Sequence, residues 1–216
     1  MARPRTDDKR KRILQAAVKV FARRGYFGAR VSEIAKRAGV ADGTIYLYFR
    51  NKEDILVRLF DEVMTEHLEK ARAALRSVPG APARLRAIAE HHLRVLGSNR
   101  DLAVVFQVEL RQSVKFMERF TASWLQDYFA LVKQVIEEGQ RDGSLRSDLP
   151  RKVATKAFFG ALDEMVTSWI IGGKGYDLGS LAVSVVDLFL HGAAASRRVA
   201  HVRPALAAVA SGRGGK

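Results

Sequence analysis

The chain has 216 residues, a net charge of +14 and no cysteine. That length allows one large or two small domains with a sizeable core. The charge predicts an anionic partner, and the lack of cysteine excludes a disulfide scaffold, a Cys-based zinc site and a thiol nucleophile. The charge is uneven: residues 1–58 hold 15 Lys/Arg and 6 Asp/Glu, a net +9, and the other 158 hold 22 and 17, a net +5. Basic charge of this kind binds nucleic acid by neutralising phosphates and releasing counterions. The first residues, MARPRTDDKRKR, are charged and lead into no apolar run of signal-peptide form. No stretch approaches the roughly 20 apolar residues of a membrane span, so a soluble, cytoplasmic protein with no membrane partner is expected.

In chain order, residues 9–25 read as an amphipathic helix whose apolar face is Ile13, Ala16, Ala17, Val20 and Phe21, with Gly25 ending it. Val31, Ile34, Ala35 and Ala38 repeat at the i, i+3, i+4, i+7 spacing of one helical face. Gly39 follows where a helix end favours a left-handed residue. Asp42 is placed to cap a short aromatic helix over residues 43–49. Two helices set at an angle by a tight turn make a helix-turn-helix, whose second helix enters the major groove of double-stranded DNA.

From Lys52 a long helix runs towards Val78, carrying Ile55, Leu56, Leu59, Val63 and Leu68, and the run Pro79-Gly80-Ala81-Pro82 breaks it. Helical spacing continues over residues 83–97, 100–113 and 116–139. Pro150 sits near the first turn of a helix over 150–172, and a last strong helix spans about 177–197. No strand-like alternation competes. The fold class is therefore all-α: a three-helix helix-turn-helix unit over residues 1–52, a helical ligand-binding and dimerisation bundle over 53–198, and a flexible Ala/Gly/Arg-rich tail over 199–216. The helix after Pro150 (Val153, Ala157, Gly160, Ala161) and the last helix (Leu181, Val185, Leu188 and Phe189, with Val186 and Leu190 beside them) are more apolar than one buried face requires. They are expected to build a two-fold homodimer interface.

The segment from Val31 to Glu53 resembles the N-terminal domain of TetR-family transcriptional repressors. The shared pattern is carried by Val31, Ile34-Ala35, Ala38-Gly39-Val40, Gly43-Thr44-Ile45-Tyr46, Tyr48-Phe49 and Lys52-Glu53. Many members carry Thr or Ser where this chain has Arg30, so the cap is lost while a long cation can still reach the DNA backbone. The resemblance implies that Thr44 and Tyr46 face the groove and that Tyr48 and Lys52 hold phosphates. Arg30, Ser32, Asp42, Gly43 and Leu47 complete the candidate DNA-binding set. A narrower resemblance lies in Val40-Ala41-Asp42-Gly43-Thr44-Ile45-Tyr46-Leu47-Tyr48-Phe49, Glu109-Leu110-Arg111-Gln112-Ser113, Phe159-Gly160-Ala161-Leu162-Asp163-Glu164, Val166-Thr167-Ser168-Trp169 and Tyr176-Asp177-Leu178. These look like the fatty-acid-degradation repressors of the FadR-like, Bacillus kind, in which long-chain acyl-CoA is the inducer.

The candidate ligand-binding residues are Phe106, Leu110, Arg111, Trp124, Phe129, Leu162, Val166 and Trp169. As a set they suit a long apolar tunnel between bundle helices, while any one of them also serves as ordinary core. A CoA head needs cations at the mouth, for which Arg84, Arg86, Arg94, Arg111 and Lys133 are candidates. Arg111 is equally suited to an ion pair with Glu109, Asp163 or Glu164. The adjacent His91 and His92 point to different sides of a helix, so no metal site is expected. The chain holds no G-x-S-x-G elbow and no histidine spaced to an acid or nucleophile, so no enzyme is expected. The reading is a repressor that binds a palindromic operator as a homodimer and is released by long-chain acyl-CoA, with control of fatty-acid degradation genes. It has no bound cofactor beyond that effector. The alternative keeps the fold and makes the ligand a lipophilic drug in a regulator of efflux.

Overall fold

The computed structural model describes residues 4–112, 124–173 and 175–193. Every regular element among them is helical: α1 (Pro4–Gly28), α2 (Val31–Ala38), α3 (Asp42–Ile45), α4 (Lys52–Leu75), α5 (Ala81–Gly97), α6 (Arg100–Val104), α7 (Trp124–Asp142), α8 (Arg151–Gly172) and α9 (Ala182–Ala193). The expected stretch over 116–123 and the tail over 199–216 lie outside the described residues. Among the described residues no helix is long and apolar enough to cross a membrane.

The N-terminal unit forms because its apolar residues close on one another. Ile13, Ala17, Phe21, Ile34, Ala35, Ile45 and Phe49 are all buried. Gly25 does break α1, with φ 70° and ψ 160°, but one more turn follows it to Gly28. Gly39 takes φ 67° at the end of α2, the left-handed conformation that lets the chain turn. Arg12 of α1 ties that turn down, its guanidinium donating to Ala38 O at 2.5 Å and to Gly39 O at 3.2 Å.

Two local expectations need correction. Asp42 does not cap α3: it is already the first helical residue, and the cap position falls to Ala41, which has no acceptor to offer. The Asp42 carboxylate acts only as a favourable charge in the first turn. The α-helix ends at Ile45, and tight turns carry the chain on to Phe49, with Leu47 N–H donating to Thr44 O and Tyr48 N–H to Ile45 O. At Arg30, by contrast, the side-chain cap is absent as expected. Glu33 Oε2 accepts from Arg30 N–H at 3.2 Å, while an Arg side chain has no acceptor to return.

α4 starts under an Asn51 cap, whose Oδ1 accepts from Asp54 N–H at 2.8 Å, and runs out of the DNA unit into the bundle. α6 departs from regular geometry. After Val104 the chain widens into a π-helical turn over Val105–Glu109 and then tightens into a 3-10 turn over Leu110–Gln112. Such insertions concentrate at functional sites because they re-aim side chains within a helix. The last helix opens as a 3-10 turn over Leu178–Leu181, with Asp177 Oδ1 accepting from Gly179 N–H at 3.0 Å.

Candidate functional site

Two surfaces can carry function, and one segment joins them. The first is the tip of the helix-turn-helix. Arg30, Ser32, Asp42, Gly43, Tyr46 and Leu47 are exposed there, while Thr44 and Tyr48 are half-buried. Tyr46 is 58% exposed and Leu47 81%, although both are large and apolar-bodied. Phe49 behind them is buried. Folding gives no reason to leave such side chains in water, so this tip is suited to meeting a partner. Lys52 is placed differently from the rest. Its ammonium donates to Ala29 O at 2.9 Å and Phe27 O at 3.2 Å, and lies 4.7 Å from the Tyr26 ring. Burial holds its pKa below the usual lysine value. Lys52 thus fastens the start of α4 to the end of α1.

The second surface is a partly open cavity within the bundle, of about 70 Å³. Its apolar wall comes from Phe60, Met64 and Leu68 of α4, Ile88 and Leu96 of α5, and Phe106 of the π turn. Phe60 stacks edge-on against Phe106 at 4.7 Å and against Trp124 at 6.0 Å. A polar cluster interrupts this wall. Gln107 Nε2 donates to Asp163 Oδ1 at 2.9 Å and Asp163 O at 3.3 Å, and Arg111 Nη2 donates to Asp163 Oδ1 at 2.7 Å and Oδ2 at 2.8 Å. His92 and Tyr128 line the same space with ring centroids 5.7 Å apart. Burial holds the His92 pKa down to about 4 against the pull of Asp163, so the ring is neutral at pH 7. Burial first, and Asp163 second, push the Tyr128 phenol up, so it stays protonated. His67 and His91 complete the wall, His91 Nε2 lying 3.0 Å from His67 O; burial lowers both pKa values.

The joining segment is the π turn itself. Phe106 and Gln107 face the cavity, and Glu109 faces the other way. Glu109 is only 4% exposed, and its Oε2 accepts from Tyr26 N–H at 2.6 Å and from Gln112 Nε2 at 3.1 Å. Tyr26 follows the Gly25 break in α1, where an added Cβ would lie 3.5 Å from the same carboxylate oxygen. Glu109 therefore links the cavity wall to the helix that frames the DNA-reading unit.

Of the residues expected from sequence to contact ligand, Phe106, Arg111 and Trp124 line the cavity. Phe129, Leu162, Val166 and Trp169 do not. Leu162 and Val166 are fully buried core, Phe129 packs on Phe159 at 5.2 Å, and Trp169 Nε1 donates to Tyr176 O at 3.0 Å. The spacing that placed them on an inward face was that of core packing. Leu110 opens the 3-10 turn, and its side chain lies outside the described atoms. Arg111 is paired with Asp163 yet exposed, not buried in its helix, so it stands at the cavity mouth. Of the other cations, Arg84 is spent on Glu138 and on Val78 O. Gln107, Tyr128, His67, His91 and His92 were not foreseen as lining. The signal was available for Gln107 and Glu109, two polar residues within the otherwise apolar run Leu102–Leu110.

Comparison with known proteins bears on the family and the fold. Residues 13–59 match the profile of the bacterial regulatory proteins of the tetR family, and residues 60–192 match that of the YsiA-like protein, C-terminal region. The chain belongs to the TetR family. It is 39% identical over 180 residues to the fatty acid metabolism regulator protein of Bacillus subtilis, covering 83% of this chain and 93% of that one. The crystal structure of the transcriptional regulator FadR from Bacillus subtilis in complex with stearoyl-CoA superposes with a TM-score of 0.81 at 38% identity, over 84% of this chain and 98% of that one. The fatty acid degradation regulator FadR from Bacillus halodurans gives 0.80 at 39% identity, over the same shares. The chain is thus a FadR-like, DNA-binding helix-turn-helix regulator of a non-enzymatic family.

Proposed function

We propose that this TetR-family regulator is a homodimeric repressor. Residues 1–52 bind a palindromic operator, and residues 53–198 bind a long-chain acyl-CoA that releases it, in control of fatty-acid degradation genes. The observation that carries the reading is the cavity's position: its walls are α4, which starts at the helix-turn-helix, and the π turn, which Glu109 ties to α1. The free space is narrow, so a long chain has to move these walls apart to enter. That movement supplies the preference for a second, DNA-incompetent state which any release by ligand requires. The relative crystallised with stearoyl-CoA supports the choice of ligand.

Thr44, Tyr46 and Leu47 read the groove in this proposal, and Arg30, Ser32 and Tyr48 meet phosphates. Lys52 contributes through the fastening of α4 to α1, with its charge close behind the surface. The dimer forms through α8 and α9. There Val153, Ala157, Gly160 and Leu188 are exposed, Leu188 to 76%, and a Cβ added at Gly160 would meet nothing. Val185 and Val186, expected at the interface, are instead buried within the subunit, and Phe189 packs on Phe158 at 5.1 Å.

The drug reading has less support. A cationic lipophile needs a buried acid to pair with, and the candidates are committed. Asp163 holds Arg111 and Gln107, Glu109 holds the Tyr26 amide, and Glu164 accepts from the Ser168 hydroxyl. The test is fluorescence anisotropy on an operator selected by the protein from random DNA. Each buried methylene contributes about 0.8 kcal/mol, so four added carbons tighten binding by about two orders of magnitude until the cavity is full. Palmitoyl-CoA should release the operator at far lower concentration than short acyl-CoAs, and free CoA should not release it. Equal release by acetyl-CoA and palmitoyl-CoA, or by neither, would refute the reading.

A further inference from the structure

The cavity contains polar atoms that the protein leaves unanswered. Gln107 Oε1, Tyr128 Oη and His92 Nε2 are buried without a hydrogen-bond partner, although Gln107 and Tyr128 are more than nine-tenths buried as residues. Such atoms cost stability unless something completes them. The orientation of the Gln107 amide is fixed by chemistry. Its Nε2 faces two oxygens of Asp163, so the end directed away from them is the carbonyl, which only accepts. An alkyl chain offers nothing to that oxygen, and a thioester or ester carbonyl offers only another acceptor. The group that completes Gln107 must bring a donor, and the protonated Tyr128 hydroxyl calls for an acceptor beside it. The position fits a ligand's head rather than its tail. Asp163 joins Gln107 to the exposed Arg111 at the mouth, whereas Phe60, Met64, Leu68 and Ile88 give the rest of the space a mainly apolar wall, edged by His67 and His91.

We propose that Gln107, Tyr128 and His92 form a hydrogen-bonding subsite for a ligand group carrying both a donor and an acceptor. Given the acyl-CoA reading, on which this inference rests, that group is the secondary amide of the pantetheine arm next to the thioester. The protein then recognises the acyl-CoA head as well as its chain, and discriminates against fatty acids and simple esters of the same length. A hydroxyl on the acyl chain has the same chemistry and is the other source to separate.

The test uses the full chain, with binding followed by competition against palmitoyl-CoA. Three ligands share the sixteen-carbon chain: S-palmitoyl-N-acetylcysteamine has the amide, S-ethyl thiopalmitate has neither group, and the S-ethyl thioester of 3-hydroxypalmitic acid has only the hydroxyl. The N-acetylcysteamine compound should bind about ten-fold tighter than the ethyl thioester, the scale of one or two buried hydrogen bonds. Tyr128→Phe should cut that ratio to about three-fold or less by weakening only the amide ligand. Because the hydroxyl has no protein partner, the same variant should melt no lower than the wild type, a result that a structural role for Tyr128 would not give. Gln107→Met should also reduce the ratio. Equal binding of the amide and ethyl compounds by the wild type, with palmitoyl-CoA still releasing the operator, would overturn the subsite and leave the acyl-CoA reading standing; the three atoms would then hold water. Tighter binding of the hydroxy compound than of the amide would overturn the amide assignment. Failure of palmitoyl-CoA itself to bind would overturn both proposals.

Discussion

Glu109→Ala tests the link between cavity and DNA unit. In the protein the carboxylate is buried and takes the Tyr26 N–H at 2.6 Å. Removing it deletes a buried hydrogen bond to a charged acceptor, a loss of about 1–3 kcal/mol. For a chain of this size each kcal/mol moves the melting temperature by about 2–4 °C, so a fall of about 2–12 °C is expected. Glu109→Gln keeps an acceptor oxygen at the same reach and loses only the charge, so it should recover part of the loss. The functional effect should be separable from the stability effect. Glu109 does not line the cavity, so palmitoyl-CoA should bind the Ala variant nearly as well as the wild type. Its power to release operator should fall, because the wall that moves is no longer held to α1. Allosteric release is a coupling free energy, so the quantity to measure is operator affinity with and without saturating palmitoyl-CoA. The assays are circular-dichroism melts and operator anisotropy. A variant that melts within about 1 °C of the wild type, with an unchanged ratio of operator affinities, would refute the reasoning.

Three further outcomes follow from the same geometry. Leu188→Asp places a charge on the exposed apolar face of α9, and should yield a folded monomer by analytical ultracentrifugation with weakened operator binding. Phe106→Ala should lower palmitoyl-CoA affinity with operator binding retained, whereas Trp169→Ala, off the cavity wall, should leave that affinity within about two-fold, a contrast that isothermal titration calorimetry can read. Stability should fall as pH drops from about 6.5 towards 4. Burial lowers His92 to about 4 and lowers His67 and His91, so the unfolded chain binds more protons in that window. Urea midpoints should show this slope, and His92→Gln should flatten it.

The helix-turn-helix was legible because its signals are local. Helical spacing from Val31 to Ala38, a glycine whose φ is 67°, and an aromatic run after a short turn each follow from a few neighbouring residues. The same locality explains the errors there. One residue decides whether Asp42 caps a helix or begins it, and helix ends are set by tertiary contacts as much as by propensity. Lys52 reads as a free cation on the sequence. Only the return of the α1 terminus, with the carbonyls of Phe27 and Ala29, reveals that its charge is already engaged.

The ligand cavity was less legible because a cavity wall and a core face obey one rule in sequence. Leu162 and Val166 have the spacing of a lining and are sealed core, while Phe106 and Trp124 have the same kind of pattern and face open space. Periodicity reports which side of a helix is apolar, and not whether the opposing helices meet there. Departures from the apolar pattern carry more information. Gln107 and Glu109 are out of place by local rules in Leu102–Leu110, and the π turn lets one face the ligand space while the other reaches the Tyr26 amide. Two polar residues two positions apart in an apolar run, pointing opposite ways, give that short segment contacts both to the cavity wall and to α1. Under the proposed subsite, a ligand group engaging Gln107 would pull on the same turn that carries Glu109, so recognition at the cavity and restraint of α1 would draw on one piece of backbone.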